Sequence, residues 1–514
     1  MPVRVVSAGE SAARDQAAIN SGIPSRTLMQ RAGIGAADAI MRRFGSRVNE
    51  GALVFAGSGN NGGDGWVVAA ALARAGVGVR VAEAAPAGTP DASAERDAAL
   101  GLIAVVPLSD STRQDEAPGI VVDALLGTGF RGVPRGEIAE AIARINQMKL
   151  AGSGVAALDV PSGVDATTGV HEACVVADIT LSFGGMKRGT LLARDCCGEI
   201  VVIDIGLDEA SRGAEKELPL LVDRSWVAGR IPSLKYDAHK GKRKHLAILG
   251  GATGMGGAAV LATRGALRSG IGLVRAMVAG DNTNAVLLAA PAALVSAWSG
   301  DGAEIDRDII AWAHAIVVGP GMGQSRVANE LLRLVLDASR QPLLLDADAL
   351  NLFENDVAAL RALLRGRQCL VTPHAAEFAR LAGTDLKTVL AERFDIGSSL
   401  AADLGATVLL KGAPTIIFSP SGERLVSPRG TAALGTGGSG DILAGIAGTL
   451  LAQTGDALTA AGCAAWVHGR AAELCAYVRG TTLEDVLYAL PRAWNENEPP
   501  LGAPVLARLP AVQQ

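Results

Sequence analysis

Charge and aromatic rings are both scarce in this chain. Charged residues fill 19% of its 514 positions, aromatic residues 3%, and the formal net charge is −5. A chain with no basic field gains little from counterion release on nucleic acid, and few rings leave few platforms for stacked bases. Cysteine is sparse too. Six occur, with Cys196 and Cys197 adjacent and no pair at CxxC spacing. That pattern fits neither a disulfide framework nor a zinc module, and reads as buried thiols in a reducing cytoplasm. The opening MPVRVVSAGESAARD turns polar too soon for a signal peptide. No run approaches the ~18 apolar residues of a membrane span. We therefore expect a soluble cytoplasmic protein with no nucleic-acid and no membrane partner.

Apolar residues and glycine are abundant. Hydrophobic residues make up 49% of the chain, enough to fill sizeable cores and exclude disorder as the main state. The length allows two large domains or three to four smaller ones. The 64 glycines and 22 prolines together stay below the roughly 25–30% of low-complexity chains. The glycines must then occupy ordered places where backbone approaches something, and loops around phosphates are the expectation.

Short apolar runs alternate with longer Ala/Leu-rich stretches of helical period, the signature of an α/β chain with parallel sheets. Predicted strands are Ala52–Ala56, Val77–Ala82, Gly119–Asp123, Val155–Val160, Ile179–Phe183 and Ile200–Ile205. A second series comprises His245–Gly250, Leu273–Val278, Ala315–Gly319, Leu343–Asp346, Gln368–Thr372, Thr407–Lys411 and Thr415–Ser419. Asp208–Lys235, containing DEASRGAEKELP, has few periodic apolar positions and is read as a linker. This yields domains at 1–215 and 225–495, followed by a loosely held proline-rich tail at 496–514.

In the first part, LVFAGSGNNGGDG runs from a strand into a glycine loop before the helix-like WVVAAALARAG. Gly57, Gly59 and Gly62 satisfy GxGxxG, and Glu83 ends the next strand, which permits a dinucleotide-binding reading. Asn60, Asn61 and Asp64 exceed what such a fingerprint needs and imply contacts to a cation or a sugar. Asp123, in VVDALLGTGFRGVPRG, and Asp159, in ALDVPSGVD, mark two further strand ends, with Ser162 after a proline. Each Asp alone reads equally well as a helix cap or turn former. Three polar loops at one sheet edge favour a binding site, because open α/β sheets bind ligands beyond their carboxyl ends.

These motifs resemble the N-terminal YjeF family, the NAD(P)H-hydrate epimerases, over about residues 1–215, and imply a Rossmann-like three-layer α/β/α domain. The resemblance assigns hydrated-dinucleotide binding to Asn60, Asn61, Gly62, Gly63 and Asp64. It assigns a phosphate-loop role to Gly127, Thr128, Gly129, Phe130, Arg131, Gly132 and Val133. It makes Asp159 a substrate contact and the candidate acid–base residue, and places Asn61, Asp123 and Ser162 on potassium ligands. Lys187, in FGGMKRG, is a candidate phosphate contact.

In the second part, HLAILGGATGMGGAAVLATRGALRSGIGLVR reads as strand, glycine loop and small-residue helix. The basic run Lys235, Lys240, Lys242, Arg243 and Lys244 precedes it, either a solvated face or a phosphate-facing lip. The strongest signal is LGTGGSGDILAGIAGTLLA, in which Gly435–Gly440 opens a helix with Asp441 in its first turn. Backbone N–H groups there suit a transferring phosphate, and Asp441 suits proton abstraction from a hydroxyl beside it. GxxxxGK[ST] is absent, so this is no P-loop.

GxGD before a helix resembles the ribokinase-like fold, and the wider motif set resembles the ADP-dependent NAD(P)H-hydrate dehydratases over about residues 225–495. The resemblance places substrate contacts on Ala258, Gly323, His374 and Asp441. Nucleotide contacts fall on Lys411, Gly412, Ala413, Pro414, Thr415 and Gly440. AAEL after Trp466–Arg470 departs from the family pattern and leaves His468 without a role. The implied function is a bifunctional repair enzyme that epimerises NADHX and NADPHX and dehydrates the S form, with ADP as co-substrate, magnesium, and potassium at the epimerase site. A homo-oligomer is expected. The alternatives are a ribokinase-like small-molecule kinase fused to a dinucleotide-binding sensor and, more weakly, a nicotinamide dehydrogenase.

Overall fold

The computed structural model describes residues 2–109, 118–207, 217–298, 307–354, 356–495 and 501–512. The chain forms two compact units. The first runs to Leu218 and takes in the C-terminal strand Val505–Leu509, and the second begins at Pro219. Part of the expected linker, residues 208–216, lies outside the described residues, as do 496–500 and 513–514 of the expected tail.

Strand order across the first unit's sheet is Val505–Leu509, Glu199–Ile203, Ile179–Phe183, Gly154–Leu158, Ile120–Ala124, Ala52–Ala56, Val79–Glu83 and Ala104–Val106. All neighbours are parallel except the C-terminal strand, which pairs antiparallel with Glu199–Ile203. The inner strands are apolar without alternation because both faces are covered. Val54 and Val122 pack with Leu28, Ile40 and Trp66 on one side, while Leu53, Phe55 and Val121 pack with Ile142 and Ile145 on the other. That is a three-layer α/β/α arrangement. The chain goes from Ala52–Ala56 outward through Val79–Glu83, then returns to lay Ile120–Ala124 on the opposite side. The crevice at this reversal is where α/β sheets hold ligands.

The second sheet runs Leu220–Leu221, Arg424–Ser427, Thr415–Phe418, Thr407–Leu410, Cys369–Val371, Leu343–Leu345, Ala315–Val318, His245–Leu249, Leu273–Ala279 and Leu294–Trp298. Only the pairs on either side of Thr415–Phe418 are antiparallel. Helices Gly256–Arg268, Ser439–Thr454 and Ala457–Glu473 contribute to one continuous core with Leu246, Ile248, Val317 and Leu344. The small residues of Gly256–Arg268 serve close approach to a neighbouring helix: a Cβ on Gly445 would stand 2.0 Å from the Ala262 carbonyl oxygen.

Three expectations are corrected. The tail is not loose: Val505–Leu509 completes the first sheet, with Leu509 and Ala507 buried. The linker is shorter than read, since Leu220–Leu221 is a strand of the second sheet and Arg224–Ala228 a helix whose Asp223 cap accepts from the Trp226 N–H at 2.7 Å. NNGGD is not a loop but the first turn of the helix Asn60–Arg74. Glycine there serves packing, because a Cβ on Gly62 would meet the Gly57 carbonyl oxygen at 1.9 Å.

Candidate functional sites

The first unit carries a cavity of about 600 Å³ at the carboxyl edge of its sheet. Asn60, Asn61, Asp64, Gly127, Thr128, Gly129, Phe130 and Asp159 line it, and Asp15 and Lys187 join them. Gly62 and Gly63 lie behind this lining, buried within the helix turn. Arg131, Gly132 and Val133 also stand outside the lining. They are exposed, and Arg131 turns away to pair with Asp165 at 3.2 Å.

Asp159 follows the strand Gly154–Leu158 with φ at +63°, a conformation few non-glycine residues adopt and one that marks functional turns. Its Oδ1 accepts the Phe183 N–H at 3.0 Å and the ammonium of Lys187. Lys187 is 1% exposed and also donates to the Phe183 carbonyl at 2.6 Å. Lys187 is therefore the charge partner of Asp159, and it lines the cavity beside it. Two further carboxyls lie in the same field. Burial pushes Asp15 up, against the pull of Lys187. Burial, then Asp159 and Asp15, push Asp64 well above the carboxylate range.

Asp123 is fully buried in its strand. Ser162 Oγ donates to Asp123 Oδ1 at 2.6 Å, Ser162 N–H to Oδ2 at 2.8 Å, and Leu125 N–H to Oδ1 at 3.2 Å. Burial nevertheless raises the carboxyl to about 6. Asn61 Nδ2 donates to the Leu126 carbonyl at 2.9 Å, while Asn61 Oδ1 is buried with no hydrogen-bond partner. Glu83, the candidate ribose ligand of a dehydrogenase, is bound by Arg96 through Nε at 2.6 Å and a second nitrogen at 3.1 Å. It does not line the cavity, which removes the residue that reading depended on.

The second site gathers at the carboxyl ends of Leu343–Leu345, Cys369–Val371 and Thr407–Leu410. Lys411 Nζ donates to Asp346 at 2.8 Å and stands 3.6 Å from Glu377. Burial alone would lower its pKa, but Asp346 and Glu377 outweigh this and raise it, so the ammonium stays charged. Thr372 Oγ1 also donates to Asp346, at 2.8 Å. Ala347, at φ +48°, turns the chain so that Asp348 Oδ2 accepts the Gly323 N–H at 2.8 Å. Asp441 lies in the first turn of Ser439–Thr454, behind Gly438 at φ +99°. Burial and then Asp346 push its carboxyl up to about 7, with Lys411 opposing. Around this group, a Cβ on Gly440 would come 3.4 Å from Lys411 Nζ.

His374 caps the helix Ala375–Ala382. Its Nδ1 accepts the Ala376 and Glu377 N–H groups at 3.1 and 3.2 Å, and Glu377 returns the bond to the His374 N–H at 2.7 Å. TPHxxE is thus a capping box. Burial lowers the imidazole pKa, with Glu377 opposing. Ala258 sits in the first turn of Gly256–Arg268, near the Gly321 turn. A Cβ on Gly412 would come 2.1 Å from a guanidinium nitrogen of Arg393, whose guanidinium donates to the Ala413 and Pro414 carbonyls at 3.3 and 2.8 Å. Thr415 Oγ1 donates to the Gly412 carbonyl at 3.0 Å. The basic run is no phosphate lip: it leads into the amino end of His245–Leu249, opposite the edge that carries Asp441. Within it, Arg243 donates to the Gly270 carbonyl at 3.0 Å and Lys242 pairs with Asp237. His468 is buried, with its pKa lowered to about 4 by burial and Lys411.

Asp15, Asp346, Asp348 and Glu377 were not singled out from sequence. Asp346 and Asp348 stand in LLLDADALN, where the Asp after three leucines was the available signal.

Residues 25–189 match the family described as YjeF-related protein N-terminus, and residues 246–492 the family described as NAD(P)H-hydrate dehydratase. The bifunctional NAD(P)H-hydrate repair enzyme Nnr of Escherichia coli (strain K12) is 35% identical over 374 residues, covering 71% of this chain and 69% of that protein. The enzyme of the same name from Moorella thermoacetica (strain ATCC 39073 / JCM 9320) is 32% identical over 415 residues, covering 77% of each. A solved ADP/ATP-dependent NAD(P)H-hydrate dehydratase from Bacillus subtilis, co-crystallised with ATP and Mg2+, aligns with 54% of this chain and 97% of its own at 27% identity and a TM-score of 0.46. With one family matched in each unit, and relatives named bifunctional NAD(P)H-hydrate repair enzymes that are 35% and 32% identical, this chain belongs to the bifunctional NAD(P)H-hydrate repair enzymes.

Proposed function

We propose that the two sites act in sequence on one damaged cofactor. The cavity around Asp159 interconverts the R and S epimers of NAD(P)HX, and the site around Asp441 returns the S epimer to NAD(P)H at the expense of ADP. The observation that carries this assignment of residues is the carboxyl of Asp441. Raised to about 7 at the mouth of a glycine-rich helix start, it can take up a proton at neutral pH.

In the second site, Asp441 takes the proton of the ring hydroxyl and the freed oxygen attacks the terminal phosphoryl group of ADP, releasing AMP. Phosphate then leaves with the C–O electron pair, and a proton leaves the adjacent carbon to restore the ring double bond. The charged Lys411, held by Asp346 and Glu377, and the N–H groups from Gly435 to Gly440 stabilise the phosphoryl oxygens. Lys411–Thr415 and Gly440 would face the nucleotide, and Ala258, Gly323 and His374 the dinucleotide. Magnesium would arrive with the nucleotide phosphates, with Asp346 and Asp348 the carboxylates at hand.

In the first site, Asp159 moves the proton that accompanies inversion at the hydrated carbon, with Lys187 fixing its orientation. Asn61, Asp123 and Ser162 fit a monovalent cation, since all three offer oxygen and Asn61 Oδ1 is buried without a partner. Potassium, when bound there, would supply the positive charge that favours an ionised Asp123.

The test uses mixed R and S NADHX with ADP, magnesium and potassium, following reduced-nicotinamide absorbance. The wild type should recover all of it faster than spontaneous epimerisation allows. Asp159→Asn should stall when the S form is spent, and Asp441→Asn should yield no NADH while still exchanging epimers. A stable phosphorylated dinucleotide in place of NADH would instead support a kinase.

A further inference from the structure

Away from the Asp159 cavity, the first unit brings together three nitrogen and sulfur donors from two segments, His171 and Cys174 in HEAC and Cys196 twenty-two residues after Cys174. His171 Nε2, Cys174 Sγ and Cys196 Sγ all lie within 4.8 Å of one another. The Cys174 thiol donates to Cys196 Sγ at 2.9 Å, and that sulfur stands 3.4 Å from His171 Nε2. The other ring nitrogen, Nδ1, is 2.8 Å from the Gly169 carbonyl oxygen. A carbonyl only accepts, so Nδ1 carries the proton and Nε2 turns its lone pair toward the sulfurs. Metal-binding histidines are oriented in this way.

We propose that His171, Cys174 and Cys196 form a binding site for one borderline-soft divalent cation of the zinc class, with a fourth position open to solvent. Two sulfurs and an imidazole nitrogen suit such an ion and do not suit potassium or magnesium. At the usual zinc–sulfur distance of about 2.3 Å, tetrahedral sulfurs stand about 3.8 Å apart, so binding spreads the thiols by about 1 Å. His171 is exposed and gives the ion an entry, whereas Cys197 is buried and directs its thiol to the Ala193 carbonyl at 3.2 Å. Binding releases the two thiol protons to solvent.

The site would tie together two segments around the DVPSGVD turn. Val175 N–H donates to the Ser162 carbonyl and Ala177 N–H to the Cys196 carbonyl, each at 2.9 Å. A Cβ on Gly163 would meet the Cys174 Cα at 2.9 Å. An ion held by Cys174 and Cys196 should therefore stiffen the turn that carries Ser162.

The experiment titrates the freshly reduced, full-length protein with Co2+ and then displaces it with Zn2+. The expected result is one ion per chain, with tetrahedral ligand-field bands and a thiolate-to-cobalt charge-transfer band that Zn2+ abolishes. At free Zn2+ about a hundredfold above Kd, melting of the first unit should rise by about 5 °C or more. His171→Ala, at an exposed position, should weaken binding and reduce that shift, and Cys174→Ser should remove the charge-transfer band. Unchanged bands in the Cys174→Ser and Cys196→Ser double variant would overturn the assignment. So would a reduced wild type that binds no Co2+ but loses two hydrogens in mass on air exposure, since the thiols would then be a redox pair.

Discussion

Replacing Asp441 by Asn should sharply slow dehydration and, at the same time, stabilise the second unit in a pH-dependent way. The carboxyl rises from 3.8 to about 7, through burial first and Asp346 second, with Lys411 opposing. At about 1.4 kcal/mol per pKa unit, keeping it ionised in the folded chain costs about 4 kcal/mol. Between pH values near 4 and 7 the folded chain binds more protons than the unfolded one, so the contribution of this group to stability falls as pH rises through that window and stays low above it. Asparagine carries no charge and lifts the penalty. The gain should be about 4 kcal/mol near pH 8, about 2 near pH 5 and close to zero near pH 3. Five of the six tryptophans lie in the second unit, so urea unfolding followed by tryptophan fluorescence reports mainly on it. Dehydration should fall by about 10²–10⁴-fold in the variant, and in the wild type kcat/KM should decline below about pH 7. An equal gain for the variant near pH 5 and pH 8, or a wild-type rate flat across that range, would refute the reasoning.

Lys187→Met should cost the first unit about 3–5 kcal/mol, because it leaves Asp159 without its charge partner, and should remove epimerisation while sparing dehydration. Calorimetry with both activity assays checks this. Gly62→Ala should destabilise the same unit by about 1–3 kcal/mol, since the new methyl meets the Gly57 carbonyl, and hydrogen exchange across Asn60–Arg74 should rise. Asn61→Leu should abolish any potassium stimulation of epimerisation, read as initial rate against KCl at constant ionic strength. Ending the chain at residue 500 should bare the edge of Glu199–Ile203 and promote self-association, visible by light scattering.

The inner strands were legible because parallel strands covered on both faces are written as unbroken apolar runs. Leu294–Trp298 was missed because it is an edge strand with exposed positions, and Arg424–Ser427 because it is short and opens on a charge. NNGGD misled because a glycine cluster reads as a loop whether it faces a ligand or another backbone. Asp159 and Asp441 stood out through their glycine-rich surroundings, but their partners did not. Lys411 finds Asp346 from 65 residues away, and Lys187 finds Asp159 from 28. Such pairs are made by strand order, which local pattern does not encode. The same holds for Cys196, which the fold brings to the neighbouring His171 and Cys174 from 22 residues beyond Cys174.

The antiparallel strand Val505–Leu509 also sets an order of events during synthesis. It emerges from the ribosome after Pro219–Glu498 of the second unit, yet its place is in the first sheet. The dehydratase part can thus be fully made while the epimerase part still waits for its final strand. Cutting the gene at the junction near Leu218 would give one fragment lacking an edge and another carrying an orphaned strand. Splitting the two activities would then call for moving that strand's codons upstream, to the end of the epimerase segment.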